Sequence, residues 1–459
     1  MPGRIGRRRF VRDTAAAAGT TFWFSTQSNR LLGRSPNERV AVAGIGIGGK
    51  GSSDIGNAAK YAQVVAICDI DDRHLRQKAK LYPDAKLFHD FRELLSVMGN
   101  KVDAVTVSTA DHTHAAAGVA AMRLGKHVYC QKPLTHSASE ARLMRETARK
   151  HSVVTQMGNQ GVSHDDFRAN VELVRSGVLG DVREVHVWTN RPFRDWEKGV
   201  MFWKQAPDIT SRPKETPPVP DHFKWDLWLG PAPPRPYHPV YHPHDWRGWW
   251  DFGTGALGDM ACHTAAMPFM ALELGLPARV HAVSGKVNGE TYPAWATITY
   301  EFPARGDKPP VKLLWYEGVE DGKRNLPTVK MPGGMVPTQT GSLLIGDKGR
   351  LYSPGDSGDT QQLDIAGRVS IPEQSMERLG NAVNTDQNQK FEWIRGIQGG
   401  PVPLSSFDFS SVLTESMLLG NVAVRLGQPI RYDEHAGRVT NIPAADGLVS
   451  RVRREGWEL

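Results

Sequence analysis

Three observations predict an α/β protein with an N-terminal doubly wound parallel sheet and a C-terminal α+β domain that carries an open, mainly antiparallel sheet. A glycine-rich turn, Gly44-x-Gly46-x-x-Gly49, follows directly on a short apolar stretch at 39–43. Strand-like and helix-like stretches then alternate as far as residue 156, the rhythm of a parallel sheet with crossover helices. Beyond it, strand-like stretches succeed one another with few helices between them, as antiparallel sheets allow.

The chain has 459 residues, enough for two domains, and its 40% hydrophobic content is that of an ordinary globular protein. Its net charge of +7 is concentrated at one end. Residues 1–35 hold seven arginines against Asp13 alone, a net +6, which leaves +1 for the rest. That balance excludes a polyanion-binding surface, so no nucleic-acid partner is expected. Arg7-Arg8-Arg9-Phe10-Val11-Arg12, followed by a weakly apolar run to Phe24, resembles a twin-arginine export signal. The run is too short to span a bilayer, so an exported, periplasmic protein without an integral membrane span is expected. No A-x-A site follows Phe24, and an uncleaved signal would tether the chain to the membrane. Cys68, Cys130 and Cys262 are single and far apart, which implies neither a disulfide framework nor a cysteine zinc site.

The first domain, 36–156, opens with the glycine turn. Gly44 permits the turn, Gly46 lets backbone approach a pyrophosphate, Gly49 lets helix and strand pack, and Ile47 lies within the same loop. A second strand, 64–68, ends in Asp69, twenty residues past Gly49, where a carboxylate accepts from an adenosine ribose 2′-OH and repels a 2′-phosphate. This is a Rossmann pattern for NAD rather than NADP, with Arg73 expected on the following helix surface. Helices are predicted at 72–81, 91–98, 114–124 and 139–150, and strands at 102–108, 127–130 and 153–156. In the loop 108–114, Thr109 and His112 either line the cofactor cleft or belong to a helix cap. The strand 127–130 runs into Gln131-Lys132-Pro133, and Pro133 disfavours helix at Lys132, which is thereby presented at a strand end where ligands sit. Thr135 and Ser137 are the candidate N-caps of the next helix, and Gln131, Lys132 and Gln160 join the expected cofactor contacts.

The second domain, 157–459, contains predicted strands at 182–189, 279–287, 294–302, 311–317 and 342–346. A Pro-, His- and Trp-rich insertion spans about 192–251. Tryptophan faces stack on sugar C–H groups, so Trp246 and Trp249, with Asn159, are candidate substrate contacts; the alternative is an aromatic cluster that pins the insertion. His238, His242 and His244 lack a carboxylate or cysteine at ligand spacing, and no metal is expected. Asp259 and His263 stand at i and i+4 of a helix predicted to run from 255 to 274, with Asp259 in its first turn, so the carboxylate stacks on the imidazole and selects its tautomer. In 351–459 an amphipathic helix at about 410–426 is legible, but no chemistry.

The ordered set of glycine turn, Asp69, Lys132-Pro133 and Asp259…His263 resembles the glucose–fructose oxidoreductase/inositol dehydrogenase/rhizopine (Gfo/Idh/MocA) family over nearly all of the chain after about Arg39. The resemblance implies a Rossmann domain, a C-terminal domain whose sheet joins subunits into a homo-oligomer, and hydride exchange between a nicotinamide and a secondary alcohol of a sugar or polyol. It implies His263 as general base, Asp259 as its orienting partner and Lys132 as donor to the reacting oxygen. Two positions depart from the family pattern. Gln131 replaces the usual glutamate, which is expected to take a carboxylate partner from Lys132, and Ala265 and Ala266 stand where a polar residue is common, which is expected to make the pocket roomier. Three function classes follow: a sugar or polyol dehydrogenase; a glycosidase or lyase that oxidises transiently and recycles a tightly held NAD; and a binding protein without turnover.

Overall fold

The computed structural model describes residues 39–459 except 196–197, 202–208, 367–372 and 381–383. The segment read as an export signal lies outside the described residues. The first sheet holds β1 (Ala41–Ile45), β2 (Gln63–Cys68), β3 (Lys86–Phe88), β4 (Ala104–Val107), β5 (His127–Gln131) and β6 (Thr155–Gly158) in the order β3-β2-β1-β4-β5-β6. Every pair in it is parallel. Its crossover helices are α1 (Gly49–Ala58), α2 (Asp72–Ala79), α3 (Phe91–Met98), α4 (His114–Arg123) and α5 (Ala138–His151). Strand β4 is buried throughout, because helices cover both faces of a parallel sheet. At α5 the Ser137 backbone N–H donates to the Glu140 carboxylate in a capping box, so Ser137 is the N-cap, while Thr135 Oγ1 donates to the Ser137 carbonyl.

Helix α6 (Asp165–Arg175) leads into the second domain. Its sheet comprises β7 (Val182–Trp188), β10 (Arg279–Ser284), β11 (Trp295–Phe302), β12 (Val311–Glu320), β14 (Gly341–Gly346), β15 (Gly349–Pro354), β16 (Gln362–Ile365), β17 (Ile430–Asp433) and β18 (Arg438–Val439). Their order is β16-β15-β14-β7-β12-β11-β10-β17-β18, with β13 (Lys323–Arg324) on β12 and a separate pair β8 (Phe193–Asp195) and β9 (Val200–Met201). Only β7–β12 is parallel among these pairs, so the expected mainly antiparallel sheet is present.

Within the insertion lies α7 (Trp225–Leu229); α8 (Gly255–Thr264) and α9 (Ala266–Ala271) follow it. The continuous helix expected over 255–274 is thus two, since Pro268 lacks the N–H that a continuous helix would send back to Thr264. Two helices near the C-terminus join the halves of the molecule. Helix α10 (Thr385–Ile397) lies on α1, and α11 (Phe407–Leu426) packs on α5 and α8. Of these, α10 was not legible in the sequence, because buried polar residues interrupt its apolar stripe.

Candidate active site

Lys132 stands just past the carboxyl end of β5, after which the chain turns through the cis Lys132–Pro133 peptide. Its ammonium donates to the Asp259 carboxylate of α8 and, at 3.1 Å, to the Asp259 carbonyl. Arg247 Nη1 lies 3.4 Å from Asp259 Oδ1 and 3.2 Å from both oxygens of Asp111, and Arg191 Nε lies 3.9 Å from Asp259 Oδ2. Burial pushes the Asp259 carboxyl up, but Arg247 and then Lys132 outweigh it and hold the group well below the usual carboxylate range. Asp259 begins the second turn of α8 and not the first, and its oxygens turn to these cations. Among the described residues it makes no hydrogen bond to His263, so the expected orienting contact is corrected: Asp259 anchors Lys132. His263 faces the same cavity one helical turn on, and burial, seconded by Lys132, lowers its pKa to about 3.

This cavity, about 670 Å³, is lined from both domains. Lys50, Lys132 and Gln160 face Arg191, Arg247, Asp259 and His263, and Asp356, Ser357, Asn384 and Thr385 close the far wall. Ala265 and Ala266 are buried in the core and do not line it, so they neither grease nor widen it. Arg191, Arg247 and the 356–357 and 384–386 segments escaped sequence reasoning, because no spacing links them until the chain folds.

Gln131 Oε1 accepts from the Lys132 backbone N–H at 3.4 Å, but the side chain does not bond the Lys132 ammonium. Its Nε2 donates to Asp54 Oδ2 at 2.8 Å, and the same oxygen accepts from Ser108 Oγ at 2.8 Å. Lys390 of α10 pairs with Asp54 Oδ1 at 2.7 Å over the ring of Tyr129, and both charged groups are fully buried. A glutamate at 131 would face Asp54 without a proton between them. The substitution therefore does not leave Lys132 without a carboxylate, since Asp259 supplies one.

The glycine turn has the expected form. Gly46 adopts φ +74°, and a Cβ there would meet the Ser108 carbonyl at 2.8 Å, with Thr109 alongside. No side chain caps α1 and its first turn carries no acid, so the helix N-terminus is left to an anion; Gly49 beside it has open space around it. Gln160 lines the cavity with its Nε2 buried at the wall. These features fit a dinucleotide with its pyrophosphate at Gly46–Gly49 and its reactive ring by Lys132.

The other expected site residues have protein partners, and for His112, Asn159 and the tryptophans these replace the expected contact. The Ile47 N–H, at 2.8 Å, and the Gly48 N–H donate to Asp69 Oδ2, while the Asp71 N–H and His74 Nδ1 meet Oδ1, so Asp69 has protein partners on both oxygens. His112 is buried, with Nε2 2.8 Å from the Trp228 carbonyl and Nδ1 3.2 Å from that of Phe252; it ties the insertion to the first domain and cannot reach a cofactor. Asn159 donates to the Cys262 carbonyl and accepts from Ser405, a crosslink rather than a substrate contact. Trp249 is fully buried and Trp246 nearly so, with the Arg247 guanidinium over its ring. Trp225, Trp228, Trp246 and Trp249 form one aromatic cluster whose faces cover one another, as in the Trp225–Trp228 stack at 4.7 Å, and among the described residues no tryptophan lines the cavity as a sugar-binding wall.

Comparison with known proteins agrees with this architecture. Residues 38–159 match the model of the Gfo/Idh/MocA oxidoreductase family's NAD-binding Rossmann fold, and 166–308 match that of its C-terminal alpha/beta domain. A glycosyl hydrolase family 109 protein of Solibacter usitatus is 32% identical over 34% of this chain and 39% of its own length. An inositol 2-dehydrogenase of Rubrobacter xylanophilus is 32% identical over 39% of this chain and 48% of its own. The chain thus spans less than half the length of these curated relatives. In fold it is similar to the aldose-aldose oxidoreductase of Caulobacter crescentus complexed with glycerol (TM-score 0.57, 17% identity, 86% of this chain and 100% of that one). It is likewise similar to an inositol dehydrogenase homolog of Azotobacter vinelandii complexed with NADH and myo-inositol (TM-score 0.57, 17% identity, 86% and 98%). With two family models in tandem over residues 38–308 and both domains folded as they describe, the chain belongs to the Gfo/Idh/MocA oxidoreductase family.

Proposed function

We propose that the protein is a nicotinamide-dependent oxidoreductase acting on a secondary hydroxyl of a sugar or cyclitol. One observation carries the reading: Lys132 from a first-domain strand end and His263 from a second-domain helix face one polar cavity beside the glycine turn. The glycine turn, the uncapped end of α1 and Gln160 would hold the dinucleotide, whose nicotinamide supplies a hydride acceptor when bound. Lys132 donates to the substrate oxygen and stabilises the negative charge that grows on it as C–H bond cleavage proceeds. His263, neutral at pH 7 with a pKa of about 3, has a free lone pair for the hydroxyl proton. Asp259 holds the ammonium in place, and Asp356, Ser357, Asn384 and Thr385 offer partners for further hydroxyls. Each of Lys132→Ala and His263→Ala is expected to lower kcat by about 10²-fold or more while NAD binding persists. Near-normal turnover in either variant would sink the assignment.

A second reading, glycoside cleavage through transient oxidation with NAD recycled, is favoured by the similarity to the family 109 glycosyl hydrolase. Incubation with a panel of polyols and glycosides separates the two. Net nicotinamide reduction supports the first, glycoside cleavage without net reduction the second, and denaturation of the protein reveals any retained NAD(H). We also propose export, on the strength of Arg7–Arg9 and Phe10-Val11, to be checked by cell fractionation, and self-association through the second sheet, to be checked by sedimentation.

A further inference from the structure

Asp69 occupies the position from which a carboxylate accepts the adenosine ribose hydroxyl, yet its acceptor capacity is already filled. A carboxylate offers about four lone-pair sites. Here Oδ2 takes the Ile47 N–H at 2.8 Å and the Gly48 N–H at 3.1 Å, and Oδ1 takes the Asp71 N–H at 2.9 Å and His74 Nδ1 at 3.2 Å. Three of these donors are backbone groups fixed by the β1–α1 and β2–α2 turns. Only the fourth is a side chain that leaves by rotation, and it is about one-third exposed, so solvent lies beside it.

The His74 ring also covers the turn itself. A Cβ built on Gly48 would lie 2.2 Å from His74 Cε1, so the imidazole rests directly on the backbone that a ribose and pyrophosphate must approach. Around the ring stand Asp69, Asp71, Arg73 and His242; Arg73 is held by both oxygens of Asp71, and the His242 ring lies tilted against Phe223 at 4.4 Å. The insertion thus backs this corner while His74 itself faces outward.

From this geometry we propose that His74 determines specificity at the adenosine end of the cofactor site: it competes with the ribose 2′-OH for Asp69 and, by masking that carboxylate, blunts discrimination between NAD and NADP. The inference rests on the nicotinamide-cofactor reading above. Removing the imidazole frees one Asp69 lone pair for the ribose of NAD and exposes its charge to the 2′-phosphate of NADP.

The test is equilibrium binding of NAD and of NADP to the nucleotide-stripped full chain, read by tryptophan fluorescence, in the wild type, His74→Ala and His74→Gln. His74→Ala is expected to bind NAD about tenfold more tightly than the wild type, the loss of one competing hydrogen bond to a charged group. Its preference for NAD over NADP should widen by at least the same factor, while His74→Gln, which keeps a donor, stays near the wild type. Unchanged or weaker NAD binding by His74→Ala, or an unchanged NAD/NADP ratio, overturns the proposal alone. Failure of all three proteins to bind either nucleotide overturns it together with the cofactor reading.

Discussion

At position 131 the side chain meets Asp54, a fully buried carboxylate, at 2.8 Å, and that contact explains why an amide stands there. An amide donates to the carboxylate, whereas a glutamate would oppose it in a site where charge is poorly screened. Lys390 and Lys50 already stand against Asp54 and Asp386 at this point, so a third carboxylate would have no cation of its own. Gln131→Glu is therefore expected to lower stability by about 2 kcal/mol or more, and Asp54→Asn on top of it to recover most of that loss. A double-mutant cycle by urea unfolding measures the coupling, and additive losses would show that the two side chains do not face each other.

The insertion positions the site and lends its cavity His244 and Arg247, whereas its described tryptophans do not line it. Its segment 222–224 bonds to the loop after β2 through Asp72 N–His222 O and Lys224 N–Ile70 O, and Arg247 and Thr254 both bind Asp111 in the loop after β4. One aromatic cluster thereby fixes Arg247, and through it Asp259, against the first domain. Trp225 lies in that cluster, stacked on Trp228 with its indole N–H on the Arg235 carbonyl. Trp225→Ala is expected to cost about 3–5 kcal/mol of stability. On the proposed function, the KM of the folded protein for a sugar or cyclitol should change little, since the ring does not line the cavity. Denaturant unfolding and steady-state kinetics check the two halves, and a large rise in KM at unchanged stability would restore the binding-wall reading.

For the molecule as a whole, histidines held neutral by burial are expected to set the first part of the acid limb of stability. Burial first, then Arg451 for His112 and His136 and Lys132 for His263, hold each of these at about 3 against an ordinary 6.5. The folded values lie below the unfolded one, so the contribution is complete above about pH 6.5 and is lost as pH falls from there towards 3. The loss reaches up to about 1.4 kcal/mol per pH unit for each histidine. Glu140 works in the same direction but later. Burial raises it, Arg451 and Arg453 outweigh that to hold it at about 2, and its share is lost only below about 4.5. Urea unfolding should give a stability that declines from pH 6.5 to 4.5; a flat profile over that window would mean that these rings are not kept neutral by the fold.

What the sequence determined by itself is the local and the periodic. Its alternation of apolar stretches specified the parallel sheet, since each strand must be covered on both faces, and the glycine triplet specified the β1–α1 turn. Pro133 put Lys132 at a strand end, and the i, i+4 spacing put Asp259 and His263 on one face of α8. Tertiary structure decided which groups those side chains address. Asp259 looked like the partner of the nearest base in sequence, but the fold brings Lys132, Arg247 and Arg191 to it, and permanent cations outcompete a neutral imidazole for a carboxylate. Asp69 looked open to a ribose, but the turn delivers backbone N–H groups to it and α2 delivers His74. Trp246 and Trp249 looked like a surface for sugars, but they are buried in one aromatic cluster with Trp225 and Trp228. Lys390 and Asp386 lie more than 250 residues after Gln131, and only the docking of α10 on α1 makes them part of the same charged cluster.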